Sequence, residues 1–160
     1  MCAKVGPICS SNTNIINIGL LNARSLRNKV VDITDSLTSK NISICAITET
    51  WLSATDDVVL REYNEMGYDL FHQPRTTGKG GGVGIIVQKG LDARKNKCCS
   101  YNSFELIELT LICHAQNYLL SSFYRTGILN LLTKETFLQD MEKYVSTKIL
   151  SQDHVILWEI

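Results

Sequence analysis

The chain has 160 residues and a mass of 17.9 kDa, enough to bury roughly 68–70% of its unfolded surface around one core without disulfides or metals. With 44% hydrophobic and 20% charged residues, it has the composition of a folded globular domain and not of a disordered tail. Sixteen basic residues balance sixteen acidic ones. That excludes a whole-molecule field drawing in nucleic acid or a membrane, so any polyanion site has to come from local charge.

Residues 1–14, with Gly6-Pro7 and Ser10-Ser11-Asn12-Thr13-Asn14, read as a flexible leader. The run Ile15-Ile16-Asn17-Ile18-Gly19-Leu20-Leu21 is β-rich and apolar, which predicts a strand ending at Asn22. Leu26, Val30, Ile33 and Leu37 follow at helical spacing with Lys29, Asp32 and Asp35 between them, the pattern of an amphipathic helix with Ser25 as a candidate cap. Ile42-Ser43-Ile44-Cys45-Ala46-Ile47-Thr48 predicts a second buried strand, closing at Glu49. Strand, helix and strand in this span make a βαβ unit with parallel strands.

Further on, residues 68–73 and 81–88 read as strands around a loop rich in turn formers. Residues 104–113 and 118–124 flank a short turn and form a hairpin. Phe137, Met141, Tyr144 and Val145 mark one side of a second amphipathic helix, and a last strand begins at His154. The chain reads as an α/β domain over residues 15–160 with no internal linker or repeat.

No apolar run approaches the roughly eighteen residues that cross a bilayer, and the N-terminus lacks the apolar core of a signal peptide. The expected setting is intracellular, nucleus or cytoplasm, without a membrane partner. Cys2, Cys9, Cys45, Cys98, Cys99 and Cys113 contain no C-x-x-C pair and are expected to be free thiols. Cys113-His114 has half the makings of a metal site, but no second pair at ligand spacing accompanies it. Asn41-Ile42-Ser43 fits a glycosylation sequon, which without a secretory route is a chance match.

Three features bear on chemistry. Asn22 and Glu49 stand at equivalent C-terminal ends of adjacent parallel strands, the edge where ligands gather in α/β sheets. An acid and an amide facing each other there suit a hard cation such as Mg²⁺, which takes one or two carboxylates and keeps several waters; taken singly, each is an ordinary cap or turn residue. The glycines between Gly78 and Gly84 fit neither phosphate-loop pattern, and a strand follows them instead of a helix. They serve close packing of that strand, or form a loop whose backbone, with Arg75 or Lys79, approaches a phosphate chain. Arg75, Lys79, Lys89, Arg94, Lys95 and Lys97 face only Asp92 in the same stretch, which reads either as a solvated surface or as a contact region for a phosphate backbone.

Leu21-Asn22-Ala23-Arg24-Ser25-Leu26, Ile47-Thr48-Glu49-Thr50-Trp51-Leu52, Gly80-Gly81-Gly82-Val83-Gly84-Ile85, Ser103-Phe104-Glu105 and Phe123-Tyr124-Arg125, in that order, resemble the endonuclease/exonuclease/phosphatase superfamily. The resemblance is strongest to the N-terminal endonuclease domain of LINE-type non-LTR retrotransposons. It implies a four-layer, DNase I-like α/β sandwich that hydrolyses phosphodiesters of DNA with Mg²⁺ or Mn²⁺ and uses no small-molecule cofactor. It further implies that Asn22 and Glu49 are catalytic groups beside the metal and that Tyr124 lies near the scissile phosphate; Arg75, Lys79, Lys89 and Arg94 of the basic stretch are the expected nucleic-acid contacts.

In the family the last strand runs into Gly-Asp-Phe-Asn and a later Asp-His pair. This chain reads Trp158-Glu159-Ile160, so the resemblance implies a domain incomplete at its C-terminus and impaired in catalysis. A noncatalytic remnant that binds nucleic acid or protein is the alternative.

Overall fold

The structure, a computed structural model, describes residues 3–7, 15–76, 78–97, 100–125 and 131–159. Five strands, β1 (Ala3–Pro7), β2 (Asn17–Asn22), β3 (Ile44–Thr48), β4 (Tyr68–Gln73) and β5 (Val83–Gln88), form one sheet in the order β1-β2-β3-β5-β4. A second sheet holds β6 (Asp92–Lys95), β7 (Glu105–Cys113), β8 (Gln116–Tyr124) and β9 (Val155–Glu159) in chain order. The helices are α1 (Val30–Ser39), α2 (Asp57–Glu65) and α3 (Leu131–Tyr144), the last continuing into a π-helical turn, Val145–Ile149.

Because side chains alternate across a strand, each sheet feeds two cores. Cys45 and Ile47 of β3 pack with Val30, Ile33 and Leu37 of α1 and with Val59 and Tyr63 of α2. Their neighbours Ile44 and Ala46 join Ile85 and Val87 of β5 and Ile107, Leu109 and Leu120 of the second sheet. The outer face of the second sheet buries Phe104, Leu106 and Phe123 against Tyr144, with Phe137 and Met141 of α3 beside them. Helices, sheet, sheet and helix are therefore stacked as a four-layer sandwich, each interface sealed by side chains worth about 1.5–3 kcal/mol apiece when fully buried.

β2 and β3 are parallel, with Asn22 opposite Thr48, as the βαβ pattern predicts. β5 runs antiparallel to β3, pairing Val83 with Thr48 and Val87 with Ile44. Hence the C-terminal ends of β2 and β3 and the N-terminal end of β5 share one edge. In the second sheet β7 and β8 form the predicted hairpin, closed by His114 and Ala115 at φ 50° and 62°, the two left-handed residues of a type I′ turn. No helix of the described residues is long and apolar enough to cross a membrane.

Several elements differ from the sequence reading. Ala3–Pro7, within the expected leader, pairs antiparallel with the outer edge of β2, where a proline without an N–H is tolerated; residues 1, 2 and 8–14 lie outside the described residues. α1 starts at Val30, one turn later than the periodicity suggests, and Ser25 does not cap it. The intervening backbone is instead hydrogen-bonded to the chain beyond β3, with Ser25 N donating to Glu49 O at 2.8 Å. α2 and the short β6 were not predicted. α2 buries only Val59 and Tyr63, too sparse a stripe to announce a helix, and the polar β6 has no apolar alternation.

Tyr144 anchors the fourth layer. Its hydroxyl, fully buried, lies 2.9 Å from Glu108 Oε1, to which it donates, and 2.7 Å from Ser121 Oγ. Tyr144→Phe leaves both partners buried with one hydrogen bond fewer, and a buried polar group without its partner costs about 1–3 kcal/mol. The urea midpoint is expected to fall correspondingly at unchanged slope.

Candidate active site

The site forms where the C-terminal ends of β2 and β3 meet the end of β8. Glu49 sits just beyond β3 at φ 54°, a left-handed conformation that costs a non-glycine residue roughly 1–2 kcal/mol. Backbone hydrogen bonds hold it there. The parallel pairing of β2 and β3 is prolonged past both strands by Ala23 N to Thr48 O (2.9 Å), Ser25 N to Glu49 O (2.8 Å) and Leu26 N to Thr50 O (2.9 Å). On the other flank Thr50 N donates to Gly82 O (3.1 Å) and Trp51 N to Gly81 O (2.8 Å). Lys29 Nζ closes the β2–α1 loop by donating to Ala23 O (2.8 Å) and Arg24 O (3.0 Å).

These constraints bring three side chains together. Asn22 Nδ2 donates to Glu49 Oε1 at 3.2 Å, and Tyr124 from the end of β8 donates its hydroxyl to the same oxygen at 2.8 Å. The Tyr124 hydrogen bond holds the Glu49 carboxyl below the usual carboxylate range; burial opposes this, and Asn22, Arg24 and Arg75 add to it. Burial pushes the Tyr124 phenol above its ordinary value, and the neighbouring Glu49 carboxylate pushes it further. At neutral pH the site therefore presents a carboxylate and a protonated phenol.

Behind it stands an ion pair that sequence reading missed. Glu105, at the start of β7 and paired across the ladder with Tyr124, accepts from Arg75 Nε and, through Oε2, from Gly82 N at 2.7 Å. Arg75 Nη1 also donates to Lys79 O at 3.4 Å. A Cβ on Gly81 would collide with Arg75 Cζ, so the guanidinium is packed against the glycine segment. Gly82 has φ 81°, and a Cβ there would lie 2.5 Å from Thr50 Oγ1. Its missing side chain is what lets the glycine segment approach the Glu49 loop.

The four cations expected to contact nucleic acid do not lie together. Arg75 and Lys79 flank the site edge, Arg75 tied to Glu105 and Lys79 exposed. Lys89 lies beyond the opposite end of β5, donating to Asn64 Oδ1 at 3.0 Å. Arg94 lies on edge strand β6 and is paired with Asp92 at 3.1 Å. Arg24, in the β2–α1 loop, is an exposed cation whose charge reaches Glu49, and its place beside Asn22 was the signal for it. Of the cysteines, Cys45 is buried and Cys113 half-buried, both as thiols; Cys2, Cys9, Cys98 and Cys99 lie outside the described residues. Among the described residues no three His, Cys, Asp or Glu side chains converge to hold a metal, so Cys113-His114 has no third partner of that kind.

No protein-family model and no curated protein sequence matches the chain. Solved structures do. The endonuclease domain of TRAS1, a telomere-specific non-LTR retrotransposon, is similar with a TM-score of 0.62 at 12% identity, over 89% of this chain and 57% of that one. D. rerio TDP2 complexed with a single-strand DNA product gives 0.61 at 13% identity, over 90% and 58%. An endonuclease/exonuclease/phosphatase family protein from Bacteroides thetaiotaomicron gives 0.58 at 14% identity, over 90% and 62%. The chain thus has the DNase I-like α/β sandwich fold that these structures share, and it spans somewhat under two thirds of their length.

Two outcomes test the geometry. A carboxyl with a lowered folded-state value stabilises the protein above its ordinary value of 4.5, and that stability is lost as pH falls through the lower folded value. Tyr124→Phe removes the largest cause. The Glu49 titration, followed by carboxyl-carbon NMR, is expected to move up toward the ordinary value, with a shallower acid dependence of stability. Gly82→Ala places a Cβ at positive φ against Thr50 and is expected to lower unfolding stability by more than about 1 kcal/mol, read from denaturant curves.

Proposed function

We propose that the chain is a phosphodiesterase-type domain of the retrotransposon DNA endonuclease kind, acting with Mg²⁺ or Mn²⁺ in the nucleus or cytoplasm. The observation that carries this reading is the convergence of Asn22, Glu49 and Tyr124 at one edge of a DNase I-like sandwich. Glu49 Oε1 receives both hydrogen bonds, whereas no hydrogen bond from the described residues reaches Oε2 or Asn22 Oδ1. One carboxylate oxygen and one amide oxygen fit a hard divalent cation that keeps most of its water. Glu49 and Asn22 would hold such an ion, which would supply charge neutralisation to a bound phosphodiester.

The residues divide the remaining work. Asn22 fixes the rotamer of Glu49 and offers its own carbonyl oxygen. Tyr124 orients Glu49 from the second sheet and holds a hydroxyl proton that can turn toward a phosphate oxygen. None of the three is matched to take a proton from water near neutral pH: the carboxylate is held below its usual range, the phenol above, and the amide does not titrate. A general base works best with a pKa near the working pH. On this reading the trio binds metal and phosphate but supplies no general base, and the proposed impairment in catalysis rests on that. The same observation favours a second reading, a remnant that binds nucleic acid without cutting it.

Supercoiled plasmid and a labelled oligonucleotide test both. Binding is expected to strengthen with Mg²⁺ or Mn²⁺, to lose that metal dependence in Glu49→Ala, and to weaken as salt rises. Nicking is expected to stay at background. Nicking that disappears in both Glu49→Ala and Asn22→Ala would show a competent enzyme, and DNA binding indifferent to both metal and Glu49 would remove the proposed site.

A further inference from the structure

The chain contains two tryptophans, and they are placed in opposite ways. Trp158 is 4% exposed in the core between the sheets, whereas Trp51 is 47% exposed, two residues beyond Glu49. An indole is among the largest apolar surfaces a protein can bury, and leaving one half in water forgoes that gain. Its backbone is also held in a costly state. Trp51 has φ 55°, a region that bulky side chains rarely enter. The hydrogen bonds from Trp51 N to Gly81 O and from Thr50 N to Gly82 O keep it there. The ring rests on the glycine segment, since a Cβ on Gly80 would lie 3.0 Å from Trp51 Nε1 and 3.3 Å from Cε2. A rigid, backed and half-open aromatic ring beside a charged centre is a surface prepared for another ring.

Its surroundings point to what that ring is. The Cα atoms of Glu49 and Trp51 can be no more than about 7 Å apart. Arg24 and Lys79, both exposed, stand on the loops to either side, giving the positive charge that a phosphate chain seeks. Within a duplex both faces of a base are covered by its neighbours, so a base can lie flat on an indole only where it is unpaired or extruded. We propose that Trp51 is a stacking platform for one unpaired base of the DNA strand whose phosphate lies at Glu49. It gives the site a preference for single-stranded or locally opened DNA without selecting a particular base. The inference rests on the phosphodiester-site reading above and adds a contact to it.

Three probes in Mg²⁺ test it: an oligothymidylate of roughly ten nucleotides, an abasic strand of equal length and charge, and a blunt duplex. Binding is read by anisotropy of a label on the DNA and by tryptophan emission, to which the buried Trp158 contributes a constant background. The oligothymidylate is expected to quench emission and the abasic strand to leave it unchanged. Trp51→Ala is expected to weaken oligothymidylate binding by about 5- to 150-fold while the abasic strand binds as before; Trp51→Phe, which keeps a ring, retains most of the affinity. Thermal unfolding of both variants at the wild-type temperature confirms that the fold is intact.

Equal binding of oligothymidylate by wild type and Trp51→Ala, equal quenching by the two strands, or a preference for the duplex would each overturn the stacking role. Glu49→Ala separates this from the underlying reading. If abasic-strand binding ignores Glu49 and Mg²⁺ while the gap between the two strands persists, stacking stands and the phosphate site fails. No binding of any probe by the wild type overturns both.

Discussion

The prolonged pairing of β2 with β3 is the constraint on which the site depends. Three backbone hydrogen bonds beyond the last strand residues, from Ala23, Ser25 and Leu26 to Thr48, Glu49 and Thr50, carry the two chains forward in register where they would otherwise separate into loops. They sustain the left-handed backbones of Arg24, Ser25, Glu49 and Trp51, conformations that an isolated loop would relax. With those angles fixed, Glu49 points toward Tyr124, Asn22 reaches Glu49, and the indole is turned outward. The same ties explain why α1 begins late, since the residues before it belong to this extended ladder.

The second sheet supports this arrangement from behind. Glu105 holds Arg75 and the amide of Gly82 at once, and Gly82 in turn accepts from Thr50. A carboxylate on β7 is thus linked through one glycine to the loop carrying Glu49. Charge-assisted contacts of this kind are stronger than neutral ones, and this pair is only partly exposed. Arg75 serves here as a brace within the protein, and the exposed cation whose charge reaches Glu49 is Arg24.

Much of the architecture was legible in the residues. The period-two and period-3.6 patterns gave β2, α1, β3, β4, β5, the β7–β8 hairpin and the burying face of α3, because each of these places apolar side chains into a core at regular spacing. Elements that bury little left no such trace, as α2 with two buried side chains and the polar β6 show. Asn22 and Glu49 were legible for a topological reason, since adjacent parallel strands end at the same edge. Tyr124 entered only through resemblance, because no local pattern says that the end of β8 meets the end of β3. The Arg75–Glu105 pair was invisible for the same reason, and nearness along the chain was a poor guide to the cations: β5 carries Lys89 to the far end of the sheet from Lys79.

The hydrogen bond between Tyr124 and Glu49 joins residues 75 apart in sequence, one on each sheet. Neither sheet alone contains the site. Contacts of such long range require loop closure before they return any energy, which slows folding, and here they form only when the two sheets dock. A ligand held by both residues therefore binds the docked state alone, and it deepens that state's free energy by RT ln(1 + [L]/Kd). Occupancy of the site and closure of the sandwich are in this way one equilibrium, so that loosening the interface at a distance, in the core around Ile85, Leu109 and Leu120, weakens binding without touching a single ligand-contacting group.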